Sequence, residues 1–216
     1  MHVPPELRGG FATRLAALIA GLFLCAVGIV CFLESQLGLP PWDVLHQGLA
    51  EQLGVSFGAA NLIVSVVILG LAWALQARIG LGTLLNALLI GSFVIALTSV
   101  DAVAALSDES LAVRIGLLPL ALASFGVGSA FYIAANMGAG PRDSLMLVAS
   151  LRLRLRIGTA RTVVEVLALA LGFALGGTVG IGTLVFALGI GPSVEGSFWL
   201  LERTPLAGRA VASSAA

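Results

Sequence analysis

The sequence predicts an all-helical membrane protein with six transmembrane helices, arranged as an inverted 3+3 internal repeat. Three observations predict it. Of the 216 residues, 59% are hydrophobic and only 10% charged, with a mean hydropathy of +1.08. A soluble domain carries about 25% charged residues, so lipid is the solvent for most of this chain. Six apolar runs, at about 13–34, 57–77, 83–103, 114–135, 158–178 and 182–202, approach the ~20 helical residues needed to cross ~30 Å of hydrocarbon. The chain also matches itself at an offset of 100: between 37 and 91, 21 of 55 positions are identical without a gap. Self-similarity of this length marks an internal duplication.

The first run follows Arg8 and Arg14. It is longer than a secretory apolar region and no small-x-small cleavage site follows it, so it reads as a retained span rather than a signal peptide. Backbone groups in lipid must be bonded internally, which makes helices the expected form of all six runs. Cys25 and Cys31 lie six apart in the first run, on different helix faces, and read as buried thiols rather than as a disulfide or metal pair.

Two stretches between runs, 35–56 and 136–157, are too short and too polar to span. Each opens on a shared motif: Gly38, Pro41, Asp43 and Leu45 in one, Gly138, Pro141, Asp143 and Leu145 in the other. Both read as short helices, either lying in the interface or re-entrant. Proline suits a first helical turn because its missing N–H costs nothing there, and a carboxylate suits the same turn because it meets free N–H groups. On that reasoning Asp43 and Asp143 cap helices, Trp42 anchors at the interface, and the isolated His46 lies at a surface. A second repeated motif, Gly80-x-Gly82-Thr83 and Gly180-x-Gly182-Thr183, opens the third and sixth runs. It reads as a tight turn with close helix packing and a threonine N-cap, or else as unwound backbone at a binding site.

The charges set an orientation. All 11 basic residues are arginine. Arg8, Arg14, Arg78, Arg142, Arg152, Arg154, Arg156, Arg161, Arg203 and Arg209 fall on one side if both termini are cytoplasmic. Arg114 is left outside with Asp43, Glu51, Asp101, Asp108 and Glu109. Arginine bias of this kind orients membrane proteins. Each repeat holds three spans, an odd number, so the second copy enters the membrane from the opposite side. The predicted organisation is a cytoplasmic tail (1–12), a first three-helix repeat (13–103), an outer loop (104–113), a second repeat (114–202) and a cytoplasmic tail (203–216).

The paired Gly-x-x-Pro-x-Asp and Gly-x-Gly-Thr-Leu motifs, at Gly38 to His46, Gly138 to Met146 and Gly180 to Thr183, resemble those of the YczE-type, YitT-like integral membrane proteins of bacteria. The resemblance covers about 13–202. It implies a multi-pass protein of the bacterial cytoplasmic membrane and carries no catalytic residues with it.

Inverted repeats are a common plan of secondary transporters, whose sites lie near broken segments at matching positions. Charged groups inside spans are costly and so point to function. The candidate substrate- or ion-binding residues are Asp43, Asp143, Arg142, Arg161, Glu165 and Glu195, with Asn86 and Asn136 as cavity-lining groups. Glu165 and Glu195 are each expected about 10 Å deep at 1.5 Å per residue, converging under Arg142 and Asp143. No catalytic or nucleotide-binding motif appears, so no enzyme, cofactor or metal is expected. The expected partners are the bilayer and a small solute, with room for a homo-oligomer and no role for nucleic acid. A gradient-driven transporter is the leading expectation; a non-transporting scaffold acting through a partner is the alternative.

Overall fold

A computed structural model describes residues 6–77, 79–138, 140–154 and 157–208. Among them the chain is helical: α1 (Phe11–Ser35), α2 (Pro41–Leu53), α3 (Phe57–Ala74), α4 (Leu81–Thr98), α5 (Asp101–Ala104) with a 3-10 turn (Ala105–Asp108), α6 (Leu111–Ala134), α7 (Pro141–Leu153), α8 (Ile157–Ala174) and α9 (Ile181–Glu202). Five of these, α1, α3, α4, α6 and α9, are long and apolar enough to cross a membrane. The apolar part of α8 among the described residues is shorter, Thr162–Ala174. Arg78, Arg156 and Arg209 lie outside the described residues.

The 100-residue offset reappears in the backbone. α2 and α7 begin and end at matching positions, as do α3 and α8. Left-handed residues match too: Gln36 with Asn136, Gly38 with Gly138, Gly54 with Arg154, and Gln76 with Gly176. The two copies therefore turn at the same places.

α1 and α6 form the central pair and cross antiparallel. Gly21 packs on the backbone of Gly128 and Tyr132, while Gly28 packs on Ala121 and Phe125. Small residues at such a crossing let backbones approach closely, the usual device where lipid removes any hydrophobic drive to associate. At one end the Arg14 Nε donates to the Ala135 carbonyl at 2.8 Å; at the other the Arg114 Nε donates to the Ser35 carbonyl, also at 2.8 Å. Each arginine satisfies the free C-terminal carbonyls of the opposite helix. α4 packs on α1 and α9 on α6, while α2 packs on α8 and α7 on α3. The described parts of the two termini meet beside the end of α6, where the Leu7 N–H donates to the Ala134 carbonyl and the Arg8 N–H to the Leu206 carbonyl.

The repeated glycine motifs clasp each other across the two copies. The Gly182 N–H donates to the Leu37 carbonyl at 2.7 Å, and the Gly82 N–H to the Met137 carbonyl at 2.8 Å. The threonines do not sit at the N-cap positions expected of them. Gly80 and Gly180 do. Thr83 and Thr183, three residues on, reach back to accept from the Gly80 and Gly180 N–H groups at 3.1 and 3.2 Å. Thr183 also donates to the Leu39 carbonyl at 2.8 Å, tying the first motif to the second. The outward surface is apolar, with Trp73, Phe173, Leu184 and Leu188 well exposed, as a lipid-facing surface requires.

Candidate functional site

Side chains from the N-terminal turns of α2 and α7 reach each other across the two copies. Trp42 is the second residue of α2 and Arg142 the second of α7. They are equivalent positions of the two copies, and they touch: the guanidinium carbon lies 5.1 Å from the Trp42 ring centroid, a cation–π contact. Trp42 is not the interfacial anchor expected from the sequence. It is buried among Val64, Met146 and Ala168.

His46 is not at a surface either. It is fully buried and forms the hub of the site. Arg142 Nη2 lies 3.3 Å from its Nε2. A guanidinium nitrogen can only donate, so Nε2 accepts and Nδ1 carries the ring proton. Nδ1 then donates to Asp43 Oδ1 at 3.0 Å. Asp43 is buried, and α2 has no side-chain cap; the carboxylate holds His46 rather than capping the helix. Asn61 of α3, also buried, brings its amide to 3.1 Å from the same Nδ1. One imidazole proton cannot satisfy both neighbours fully, and one group of the Asn61 amide, Oδ1 as placed, has no partner. Among the described residues three buried side-chain polar atoms lack partners: Trp42 Nε1, Asn61 Oδ1 and Ser144 Oγ. They belong to α2, α3 and α7, the helices that build this junction. Buried polar groups are nearly always bonded, so the orphaned atoms of Trp42, against Arg142, and of Asn61, against His46, mark a place for a polar occupant.

Other candidates fall unevenly around it. The carboxylates of Asp43, Asp143 and Glu165 act on the Arg142 charge through space. Asp143 is exposed and accepts from the Tyr132 hydroxyl at 3.3 Å, while the Gly140 N–H donates to that hydroxyl. Glu165 is half-buried and has a partner. The Arg161 side chain lies outside the described residues. Glu195 is exposed, on a helix that packs chiefly on α6, so it does not converge with Glu165 under the Arg142–Asp143 turn. Asn86 approaches Gly140, and Asn136 donates to Glu6 at 2.7 Å.

Two clefts open beside the junction at equivalent positions of the two copies. One, of about 340 Å³, is lined by Tyr132, Ile133, Asn136, Gly138 and Asp143. The other, of about 400 Å³, includes Phe32, Leu33, Gln36 and Gly38, each 100 residues earlier than a lining residue of the first, together with Glu34 and Gln47. Sequence reasoning missed His46 and Asn61 as site residues. The signal for His46 was its position three residues after Asp43, which puts both on one helix face. Asn61 was visible only as a polar residue within an apolar run.

The model of the family described as "Family of unknown function (DUF6198)" matches residues 12–197. An uncharacterised protein of Haemophilus influenzae is 36% identical over 193 residues, which cover 88% of this chain and 86% of that protein. The uncharacterised membrane protein YczE of Bacillus subtilis is 32% identical over 177 residues, 81% of this chain and 80% of YczE. The uncharacterised protein YyaS of the same organism is 28% identical over 179 residues, 76% of this chain and 82% of YyaS. No solved structure matches. The match along nearly the whole chain, and the apolar helices that fill it, identify a membrane protein that belongs to the DUF6198 family of YczE-type proteins.

Proposed function

We propose that this protein is a secondary transporter or permease for a small polar solute, with its site where α2 and α7 meet. The observation that carries the reading is the buried group of Asp43, His46 and Asn61, with half-buried Arg142 against it and orphaned polar atoms on Trp42 and Asn61. Ionisable groups are retained at such depth chiefly where they handle a substrate or ion. Arg142 and the Trp42 indole offer donors; Asp43 and the Asn61 amide offer acceptors.

The wider reading is six spans, with α8 as the sixth, in an inverted 3+3 repeat. It sits in the bacterial cytoplasmic membrane with both termini inside. The antiparallel crossing of α1 and α6 supports opposed copies. The bonded termini support a shared side. The two clefts then open to opposite sides, as alternating access requires. Arg14 and Arg114 weigh little in the orientation, since both serve helix ends; the arginines of α7 and its following turn carry it. Transport rather than catalysis is proposed.

The test uses wild-type protein in proteoliposomes on a solid-supported membrane, challenged with a panel of small polar solutes. Transport currents with one solute class are expected from wild type and not from Asp43→Asn or Arg142→Gln, with all three proteins inserted and monodisperse. Silence of wild type across the panel, with a second protein co-purifying at fixed ratio, would replace the reading with the scaffold.

A further inference from the structure

Glu34 takes no part in the central group, and its surroundings are electrostatically unfavourable for a carboxylate. It lies in the last turn of α1 and is 8% exposed. The C-terminal end of a helix carries the negative end of its dipole, so the carboxylate is on the wrong end. Asp108, in the turn after α5, adds a second negative charge nearby. Arg114 directs its Nε to the neighbouring Ser35 carbonyl, and the described residues place no basic group within ion-pair distance of Glu34. Among the described residues no side-chain hydrogen bond holds it, and its oxygens keep access to the cleft. The carboxylate instead lines the cleft of about 400 Å³ with Phe32, Gln36, Leu39, Gln47 and Thr178. The equivalent position in the second copy is Ala134, so this charge is not inherited from the shared scaffold.

A buried carboxylate facing a second acid and a helix C-terminus is relieved by taking up a proton or by a positive charge that joins it. The geometry points to a monovalent cation bound by Glu34 in this cleft, either an alkali-metal ion or a small protonated amine. The inference rests on the cleft alone and stands independently of transport through the central junction.

The test follows thermal unfolding of the purified full chain in nanodiscs by tryptophan fluorescence. Sodium, potassium and methylammonium chlorides are titrated at constant ionic strength against tetraethylammonium chloride, whose quaternary cation is neither an alkali-metal ion nor a protonated amine. A ligand that binds only the folded state raises the midpoint in a saturable way. Wild type is expected to show that rise with at least one of the three cations. Sodium or potassium would identify a metal ion and methylammonium alone an amine. Glu34→Gln is expected to fold at least as well as wild type without added cation, because an unfavourable charge is gone, and to lose the saturable rise. Asp108→Asn, which leaves Glu34 in place, keeps the rise at a several-fold higher half-saturating concentration. A response equal in wild type and Glu34→Gln, or no response to any of the three cations, overturns the proposal.

Discussion

Replacing Gly38 by alanine tests the clasp that positions the site. Gly38 has φ +110, a region that L residues enter at a cost of about 1–3 kcal/mol. A Cβ added there would lie 2.5 Å from the Gly180 nitrogen and 2.8 Å from its Cα. Both are backbone atoms, so no side chain can swing aside, and overpacking of this kind costs typically 1–3 kcal/mol. The two terms together predict a loss of about 2–6 kcal/mol. Gly138 shares the positive φ, at +128, but its Cβ would meet the Gly80 Cα at 2.9 Å and the rotatable Thr83 hydroxyl at 3.0 Å. Its loss should sit toward the lower end of that range. Gly70, within α3 with no atom inside 4 Å of an added Cβ, should gain about 0.5–1 kcal/mol as alanine through backbone entropy. Unfolding by sodium dodecyl sulfate titration in mixed micelles, read by tryptophan fluorescence, gives the order directly. The expected ranking is Gly70→Ala, wild type, Gly138→Ala, Gly38→Ala, from most to least stable. Gly38→Ala unfolding within about 0.5 kcal/mol of wild type, an effect typical of an unconstrained surface site, would mean that the Gly38 and Gly180 turns do not touch.

Three further outcomes are expected. Arg14→Gln and Arg114→Gln each remove a charge-assisted bond to the end of the opposite helix and should each cost about 1.5–3 kcal/mol; at opposite ends of the bundle, their effects should add in the double variant. With the buried Cys25 and Cys31 replaced by alanine, an impermeant maleimide added to intact cells should label Ser56→Cys, and Arg154→Cys only after permeabilisation; labelling of both from one side would refute the opposed copies. Asn61→Leu removes an amide that is only half satisfied, so its stability should fall by no more than about 1–2 kcal/mol, while any solute-induced shift in the unfolding midpoint should vanish. Retention of that shift would place the solute elsewhere.

Much of the scaffold was legible because it is written twice. The offset located Pro41 and Pro141 at the starts of α2 and α7, and the Gly-x-Gly-Thr motifs at the starts of α4 and α9. What each motif touches was not legible, since the partners of Gly82 and Gly182 are Met137 and Leu37 of the other copy and nothing local encodes that crossing. Trp42 and His46 were not read as site residues, and Asp43, a binding candidate, was also read as a cap, for one physical reason. A short helix of mixed polarity has a polar face, but its sequence does not say whether that face meets water or the rest of the protein. Read against water, α2 becomes an interfacial helix with a capping acid and a surface histidine. Folded, the same face turns inward and the three residues become part of the buried polar group. Glu34 escaped notice because it stands at the end of a span, where a carboxylate ordinarily reaches headgroup water.

The two copies keep their backbone devices and part company in their chemistry, and electrostatics explains why. Trp42 and Arg142 occupy equivalent positions and contact each other, so at this pair a residue meets its own counterpart. Had both copies kept the same charge there, like charges would face one another; at 4 Å and an effective dielectric of 20, that repulsion is about 4 kcal/mol. A charge at this pair must therefore be asymmetric to be stable, and arginine opposes tryptophan; the positions equivalent to His46 and Asn61 also differ, holding Met146 and Arg161. The glycines at 38 and 138 and the arginines at 14 and 114, which act on backbone at separate ends, face no such penalty and remain matched. In this chain the glycines and threonines that agree across the offset build the clasp; at the centre Asp43 keeps its counterpart in Asp143, while His46, Asn61 and Arg142 do not keep theirs.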